Sequence, residues 1–272
     1  MGAGVGVLMI GEGGYELHPD GRIDFAFAIT DRSDLQRLAA HHRWPHLARL
    51  ADAWPPFVSA VCLEFDSDRL DAEPSVFFAP GDAHGHEAAH AREEWRPAWL
   101  DVVRQLRDGA LSDAMRATLR RCCAAIPSRA RLSQIGVMLA RQADATRICI
   151  TNPAANELLP FLDDAGWNGD VSRLAPLIAI ANELESLLTI HLDAGSSLAP
   201  RLGIEIAPRF FDDDSQWPRH LAALVDARVL DRAMAATIAE FPDRNQSRRI
   251  SHLKVVFERD AVHTKAYLGY HA

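Results

Sequence analysis

The sequence predicts an α+β fold: a closed antiparallel barrel of about ten strands, arranged as five strand pairs and surrounded by helices. Three observations carry this expectation. Pairs of short segments with period-two alternation recur five times along the 272 residues. Helix-like segments follow the first four pairs, so the chain repeats an architecture rather than a residue pattern. In nearly every strand one face is aliphatic, while the other mixes Gly, Ala, Cys, Met, His and single charges. A solvated sheet face would carry more Lys, Thr and Glu. A layered α+β sheet, in one or two domains, is the alternative arrangement of the same elements. The second face favours closure, and a barrel of this size is wide enough to hold a ligand. The chain is accordingly read as one domain, residues 1–272.

In the first pair, Tyr15 to Leu17 and Arg22 to Ile29 flank His-Pro-Asp-Gly, a strong turn. Ile23, Phe25, Phe27 and Ile29 share one face. Asp31 or Ser33 caps a helix over Leu35 to His42, and a second runs from Pro45 to Ala53 until Pro55-Pro56 stops it. The second pair is Val58 to Asp66 and Ser75 to Pro80, followed by helices over Glu87 to Arg107 and from the Ser112 cap to Ala125. The third pair is Arg131 to Arg141, with Ile135, Val137 and Leu139 on one face, and Thr146 to Thr151. Helices then span Asn156 to Ala165 and Ser172 to Glu185. The fourth pair is Leu187 to Asp193 and Arg201 to Phe210, followed by helices over Pro218 to Ala227 and Asp231 to Phe241. The last pair lies within Ser251 to Tyr270 and turns at Glu258-Arg259-Asp260. It holds the only two lysines in the chain, Lys254 and Lys265, which share a face with Tyr267.

Composition narrows the function classes. An apolar fraction of 48% and a charged fraction of 24% are those of a soluble globular protein. A net charge of −8 argues against nucleic acid as the main partner, which needs a basic face. No apolar run approaches the roughly 20 residues needed to span a bilayer, so no membrane partner is expected. The four cysteines Cys62, Cys122, Cys123 and Cys149 form no disulfide framework. The N-terminus lacks the basic segment of a signal peptide, and a reduced, cytoplasmic protein is expected. Arginine in place of lysine, with abundant alanine, points to a GC-rich bacterial genome.

A barrel of five antiparallel strand pairs, each attended by helices, resembles the ABBA prenyltransferases, also called the PT-barrel family. At residue level the resemblance rests on Lys265-Ala266-Tyr267 in the last strand, with Lys254 on the strand before it. It implies a prenyltransferase that moves an allylic prenyl group from a prenyl diphosphate to an aromatic or peptide side-chain acceptor. The family uses Lys-x-Tyr elements to bind and shield the diphosphate. It also lacks DDxxD prenyl-binding motifs; Phe211-Asp212-Asp213-Asp214 here reads as a solvated acidic turn. The chain is short for fungal indole members and nearer in length to bacterial ones, some of which modify ribosomal peptides.

Strand parity places Arg22, Asp24, Cys62, Glu64, Asp66, Gln134, Met138, Arg147, Cys149, His191, Asp193, Glu205, Lys254, Lys265 and Tyr267 inside the barrel. Departing diphosphate develops negative charge, so it needs several fixed cations. Arg22, Arg147, Lys254 and Lys265 are the candidates, with Tyr267 shielding the cation through its ring face. Glu64 or Glu205 is the candidate to orient the acceptor and take its proton. The prenyl diphosphate is the co-substrate; no cofactor is assigned, and Mg²⁺ stays open. The five carboxylates on this inner face outnumber the four cations and would repel diphosphate unless Mg²⁺ sat between them. Two other readings stay open. One is a non-catalytic protein that binds a peptide or small molecule. The other is an isomerase or cyclase run by His191 and the carboxylates.

The remaining motifs point away from other chemistries. His84, His86 and His90 have a metal-ligand spacing but sit where a polar strand-to-helix loop is expected. No metal site is predicted. There is no G-x-S-x-G nucleophile elbow. The N-terminal glycines follow no strand and so lack the context of a dinucleotide loop. Cys122-Cys123 falls inside a helix and reads as packing.

Overall fold

A computed structural model describes residues 13–80, 97–109, 111–141, 143–209, 214–241 and 248–270. The strands are β1 (Gly13–Leu17), β2 (Ile23–Ile29), β3 (Val58–Phe65), β4 (Ser75–Pro80), β5 (Arg131–Val137), β6 (Thr146–Thr151), β7 (Leu187–Ala194), β8 (Leu198–Ala207), β9 (Arg248–Phe257) and β10 (Val262–Tyr270). Each pairs antiparallel with its sequence neighbours, and β1 pairs with β10 to close the barrel. The closing register sets Tyr15 opposite Leu268 and Leu17 opposite Ala266.

Helices α1 (Arg32–His42) and α2 (Pro45–Ala53) follow the first strand pair. Helices α3 (Pro97–Leu106) and α4 (Asp113–Ala125) follow the second, α5 (Leu158–Ala165) and α6 (Ala175–Glu183) the third, and α7 (Trp217–Asp226) and α8 (Arg232–Ala239) the fourth. Their starts use the caps that the sequence offers. Asp31 accepts from the Ser33 amide, Ser112 from Met115, and Asp231 from Ala233 and Met234. Gly166 ends α5 in the left-handed conformation, at φ 84°. Among the described residues no helix is long and apolar enough to cross a membrane.

The main core is a ring between barrel and helices. Outward strand residues such as Val61, Phe78, Ile150, Ile190, Ile204 and Val255 pack against Leu35, Leu50, Leu106, Phe161 and Leu224 of the helices. Phe65 stacks on Phe25 and Phe27, with centroids 4.7 and 5.3 Å apart, and Trp44 tilts onto the same ring. A second, small cluster joins Phe77, Met138 and Cys149, with Cys62 against it. Phe77, Cys149 and Cys62 carry the opposite strand parity and Met138 follows the end of β5, and the four pack together on the inner side.

Three local departures shape the lumen. Strand β5 ends at Val137, and Leu139–Arg141 forms a 3₁₀ turn, so Leu139 leaves the expected strand face and Arg141 turns back over the barrel end. A register shift between Leu132 and Gln134 brings both Ser133 and Gln134 to the inner cavity. Strand β8 begins at Leu198, earlier than expected, and takes in Pro200 beyond a register shift at Leu192/Ala194. The segment with His84, His86 and His90, the expected start of the third helix at Glu87, and Phe211 to Asp213 lie outside the described residues.

Gly136 on β5 faces Phe77 on β4. A Cβ at Gly136 would meet Phe77 Cε1 at 2.4 Å. Gly136→Ala is therefore expected to destabilise the protein by about 1–3 kcal/mol through overpacking, read by urea unfolding. A change within about 0.5 kcal/mol, the range of an inert surface substitution, would show that the ring moves aside freely.

Candidate functional site

The lumen contains two chambers of different character. The larger, about 600 Å³, opens at the end where the hairpin turns lie. Five cationic side chains line it: Arg22, Arg141, Arg147, Arg201 and Lys265. They face three carboxylates, Asp20, Asp193 and Glu258, together with His18 and His263. The smaller chamber, about 120 Å³, lies deeper and is lined by Ala26, Ala28, Cys62, Phe77, Thr151, Thr189 and Tyr267. Glu64, His191, Glu205, His252 and Lys254 also border it.

Each inner cation has an acidic partner. Arg147 holds both Asp193 oxygens, at 2.7 and 3.1 Å, because the residues sit opposite each other on β6 and β7. Arg201 reaches Asp193 at 3.5 Å and Glu258 at 3.4 Å. Arg141 pairs with Glu64 and Asp66. Lys265 pairs with Glu16 of β1 across the closing seam. Arg141 and Arg201 add cations to this lumen, and Glu16, Asp20 and Glu258 add carboxylates. Arg141 belongs to a turn that strand alternation does not describe, whereas Arg201 shares the parity of Glu205 on β8 and was open to the same alternation.

The deeper group is centred on Glu205. Its Oε1 lies 2.6 Å from His191 Nε2, 3.3 Å from His252 Nε2 and 3.6 Å from Lys254 Nζ. Lys254 Nζ donates to His191 Nδ1 at 3.0 Å. With Lys254 charged, that contact takes the lone pair on Nδ1 and sets the imidazole proton on Nε2; burial lowers the Lys254 pKa and Glu205 opposes that shift. Burial pushes the His191 pKa down to about 4, with Lys254 adding to the effect against the pull of Glu205. Burial alone would raise the Glu205 carboxyl; His191 and His252 instead hold it well below the usual range. Burial likewise works against Glu16 and Asp193, yet Lys265 and Arg147 respectively bring each down to about 2. Tyr267 stacks on His252 at 4.2 Å, and Lys254 Nζ lies 5.7 Å from its ring centre. Burial raises its hydroxyl well above the ordinary value, which keeps it a neutral ring.

The sequence-predicted residues thus divide. Arg22, Arg147 and Lys265 line the cationic mouth; Glu64, His191, Glu205, Lys254 and Tyr267 line the apolar chamber. Arg22 lies in the turn before β2 rather than on an inner strand face, is 34% exposed, and contacts His18 Nδ1 at 3.0 Å. The two lysines stand opposite each other on β9 and β10 yet border different chambers. Sequence reasoning missed His252, Glu16 and Ser133. The first two share parity with Lys254 and Lys265 and were open to the same alternation; the third is displaced by a bulge.

Two other constellations are already satisfied. Glu16, His18 and Asp24 bring ligand atoms within 4.8 Å of one another. However, Lys265 holds Glu16, Arg22 donates to His18, and Ser67 donates to Asp24 through its amide and hydroxyl. Arg22 on His18 Nδ1 leaves the proton on Nε2, facing Asp24 at 2.7 Å, where a metal would need a lone pair. Cys149 Sγ lies 3.3 Å from His191 Nδ1, but Lys254 already uses that nitrogen. Burial pushes the thiol up to about 12, so it is no nucleophile at neutral pH.

The arrangement of strands and helices matches solved structures over nearly the whole chain. A 6-dimethylallyltryptophan synthase from Micromonospora olivasterospora, solved in complex with DMASPP and Trp, superposes with a TM-score of 0.59 at 15% identity, over 94% of this chain and 80% of that one. A 5-dimethylallyltryptophan synthase from Streptomyces coelicolor gives 0.56 at 12% identity, over 94% and 80%. AnaPT from Neosartorya fischeri gives 0.56 at 11%, over 96% and 77%. The fold is that of the ABBA prenyltransferases. No family model and no curated protein matches the chain. Similarity at these identities establishes the PT barrel and leaves the chemistry to the lumen.

The lumen sets a pH dependence. Between pH 6.5 and about 4 an unfolded His191 binds a proton that the folded one refuses. Stability therefore falls as pH drops through that window, by at most about 3 kcal/mol from this group. Glu16 and Asp193 add their losses lower, between their ordinary values and about 2. Urea unfolding at pH 7, 5.5 and 4.5 should show this decline, flattened in His191→Asn. An equal decline in the variant would assign it elsewhere.

Proposed function

We propose that this PT barrel transfers an allylic prenyl group from a prenyl diphosphate to an aromatic or peptide side-chain acceptor. The observation that carries this reading is the pair of chambers, cationic at the mouth and apolar beneath it. Diphosphate belongs with Lys265, Arg147, Arg201 and Arg22, where guanidinium forks and a compact ammonium suit its oxygens. The prenyl tail belongs in the apolar chamber. At about 120 Å³ that chamber is somewhat smaller than the roughly 150 Å³ cavity that takes up benzene, which suits a single five-carbon unit. The similar Micromonospora synthase, crystallised with DMASPP and Trp, supports the same pairing of ligands.

In this reading the C–O bond breaks and its electron pair leaves with the diphosphate, whose growing charge the mouth cations stabilise. The allylic cation faces the rings of Tyr267 and Phe77, while the apolar lining excludes water. The acceptor supplies the electron pair of the new bond. The proton it then sheds passes to a carboxylate bordering the chamber, Glu205 or Glu64. Mouth carboxylates Asp193 and Glu258 face the same space, so binding is best measured with and without Mg²⁺. The pairing of each inner cation with a carboxylate favours one rival, a non-catalytic protein that binds a peptide or small molecule.

Two measurements separate these readings. Isothermal titration with a non-hydrolysable dimethylallyl diphosphate analogue should show binding, weakened about tenfold or more in Lys265→Gln. Incubation with dimethylallyl diphosphate and a panel of indoles, phenols and peptides should release pyrophosphate and give a prenylated acceptor by mass spectrometry. Absence of binding at millimolar analogue would sink the proposal. Binding without transfer to any acceptor would favour the rival.

A further inference from the structure

The two lysines, opposite each other in the barrel wall, have different surroundings. Lys265 meets Glu16 at the cationic mouth. Lys254 leaves β9, crosses β8 and ends on His191 of β7. The crossing depends on Gly203, which faces His191 in the β7–β8 register. A Cβ at Gly203 would meet Lys254 Cε at 2.9 Å and His191 Cβ at 3.2 Å. Any side chain there would occupy the path that the lysine takes.

We propose that Lys254 is a positioning residue of the His191–Glu205 pair rather than a ligand of the diphosphate. Its ammonium occupies the Nδ1 lone pair of His191 and so keeps that imidazole neutral, with its proton on Nε2 facing Glu205. This rests on the reading of the mouth as the diphosphate site.

The charges around His191 support the assignment. Glu205 on β8 favours an imidazolium, and Lys254 on β9 and Arg147 on β6 oppose it. Arg147 is already committed to Asp193, and the Cys149 thiol is neutral. Lys254 is therefore the cation that adds most to the effect of burial on His191. With Glu205 ionised and His191 neutral, lysine, carboxylate and imidazole carry no net charge. An allylic cation forming in the apolar chamber meets a neutral trio there. If His191 took a proton, the same wall would be positive and would oppose that cation. Glu205 stays ionised and able to receive the acceptor's proton, with the neutral His191 N–H steadying its charge.

The test reads the protonation of His191 directly. The full chain is labelled with ¹⁵N-histidine, and His191→Asn assigns the signals. Wild type should show His191 as the neutral Nε2–H tautomer from pH 8 to pH 5. In Lys254→Met the competing cation is gone while Glu205 remains, so the His191 midpoint should rise by about two pH units from its value of about 4, making it largely an imidazolium at pH 5. Gly203→Ala keeps the lysine but blocks its path and should shift His191 in the same direction. It serves as the second test if Lys254→Met fails to fold. Pyrophosphate titration completes the assignment. Lys254→Met should bind within about threefold of wild type, while Lys265→Gln should lose about tenfold or more. A His191 still neutral at pH 5 in both folded variants would overturn the proposal, as would equal loss of pyrophosphate binding in the two lysine variants. If wild type binds no pyrophosphate, the reading of the mouth fails, while the His191 titration still decides the positioning role.

Discussion

Pairing of β1 with β10 is the contact on which the rest of the molecule depends. It converts ten strands with two edges into a barrel with none, and it brings Glu16 of β1 beside Lys265 of β10. The aliphatic strand faces can then seat the helices while the polar faces turn inward. An open sheet would expose Lys254, His191 and Glu205 to water, where their contacts would contribute little. Closure gives them a dry, shared interior. The chemistry attributed to the lumen is thus a consequence of topology before it is a property of any side chain.

A closed lumen imposes a second constraint, the cost of burying charge. Each buried ion loses several kcal/mol of hydration, and a good partner recovers it only in part. Apolar residues at these positions would serve stability as well or better. The barrel instead keeps Arg147 with Asp193, Lys265 with Glu16, and Lys254 with Glu205. Such an interior stands to gain from a ligand that completes its interactions. The mouth, where four guanidinium groups and an ammonium converge, offers donors to an anion, and the smaller chamber suits an apolar group. Phe77 of the smaller chamber packs with Met138 of the mouth and with Cys149.

Much of this was legible in the sequence, because period-two alternation reports which face of a strand is buried. Alternation alone suffices to set Asp24, Glu64, Cys149, His191, Glu205, Lys254 and Tyr267 on one face, and closure makes that face the lumen. What escaped has specific causes. Arg141 sits in a 3₁₀ turn, where strand parity has no meaning. Ser133 faces inward because a bulge resets the count. Arg22 is swung to the rim because β2 starts one residue later. The division of Lys254 and Lys265 between two chambers was also illegible. It depends on Gly203, whose missing side chain matters only once β8 lies between β7 and β9.

The division of the lumen into an anion chamber and a prenyl chamber is the central claim, and a crystal structure with an unreactive dimethylallyl diphosphate analogue tests it most directly. The diphosphate is expected among Lys265, Arg147 and Arg201, with the five-carbon tail pointing past Met138 toward Phe77 and Tyr267. Diphosphate bound outside the barrel, or a tail directed out of the hairpin mouth, would contradict it.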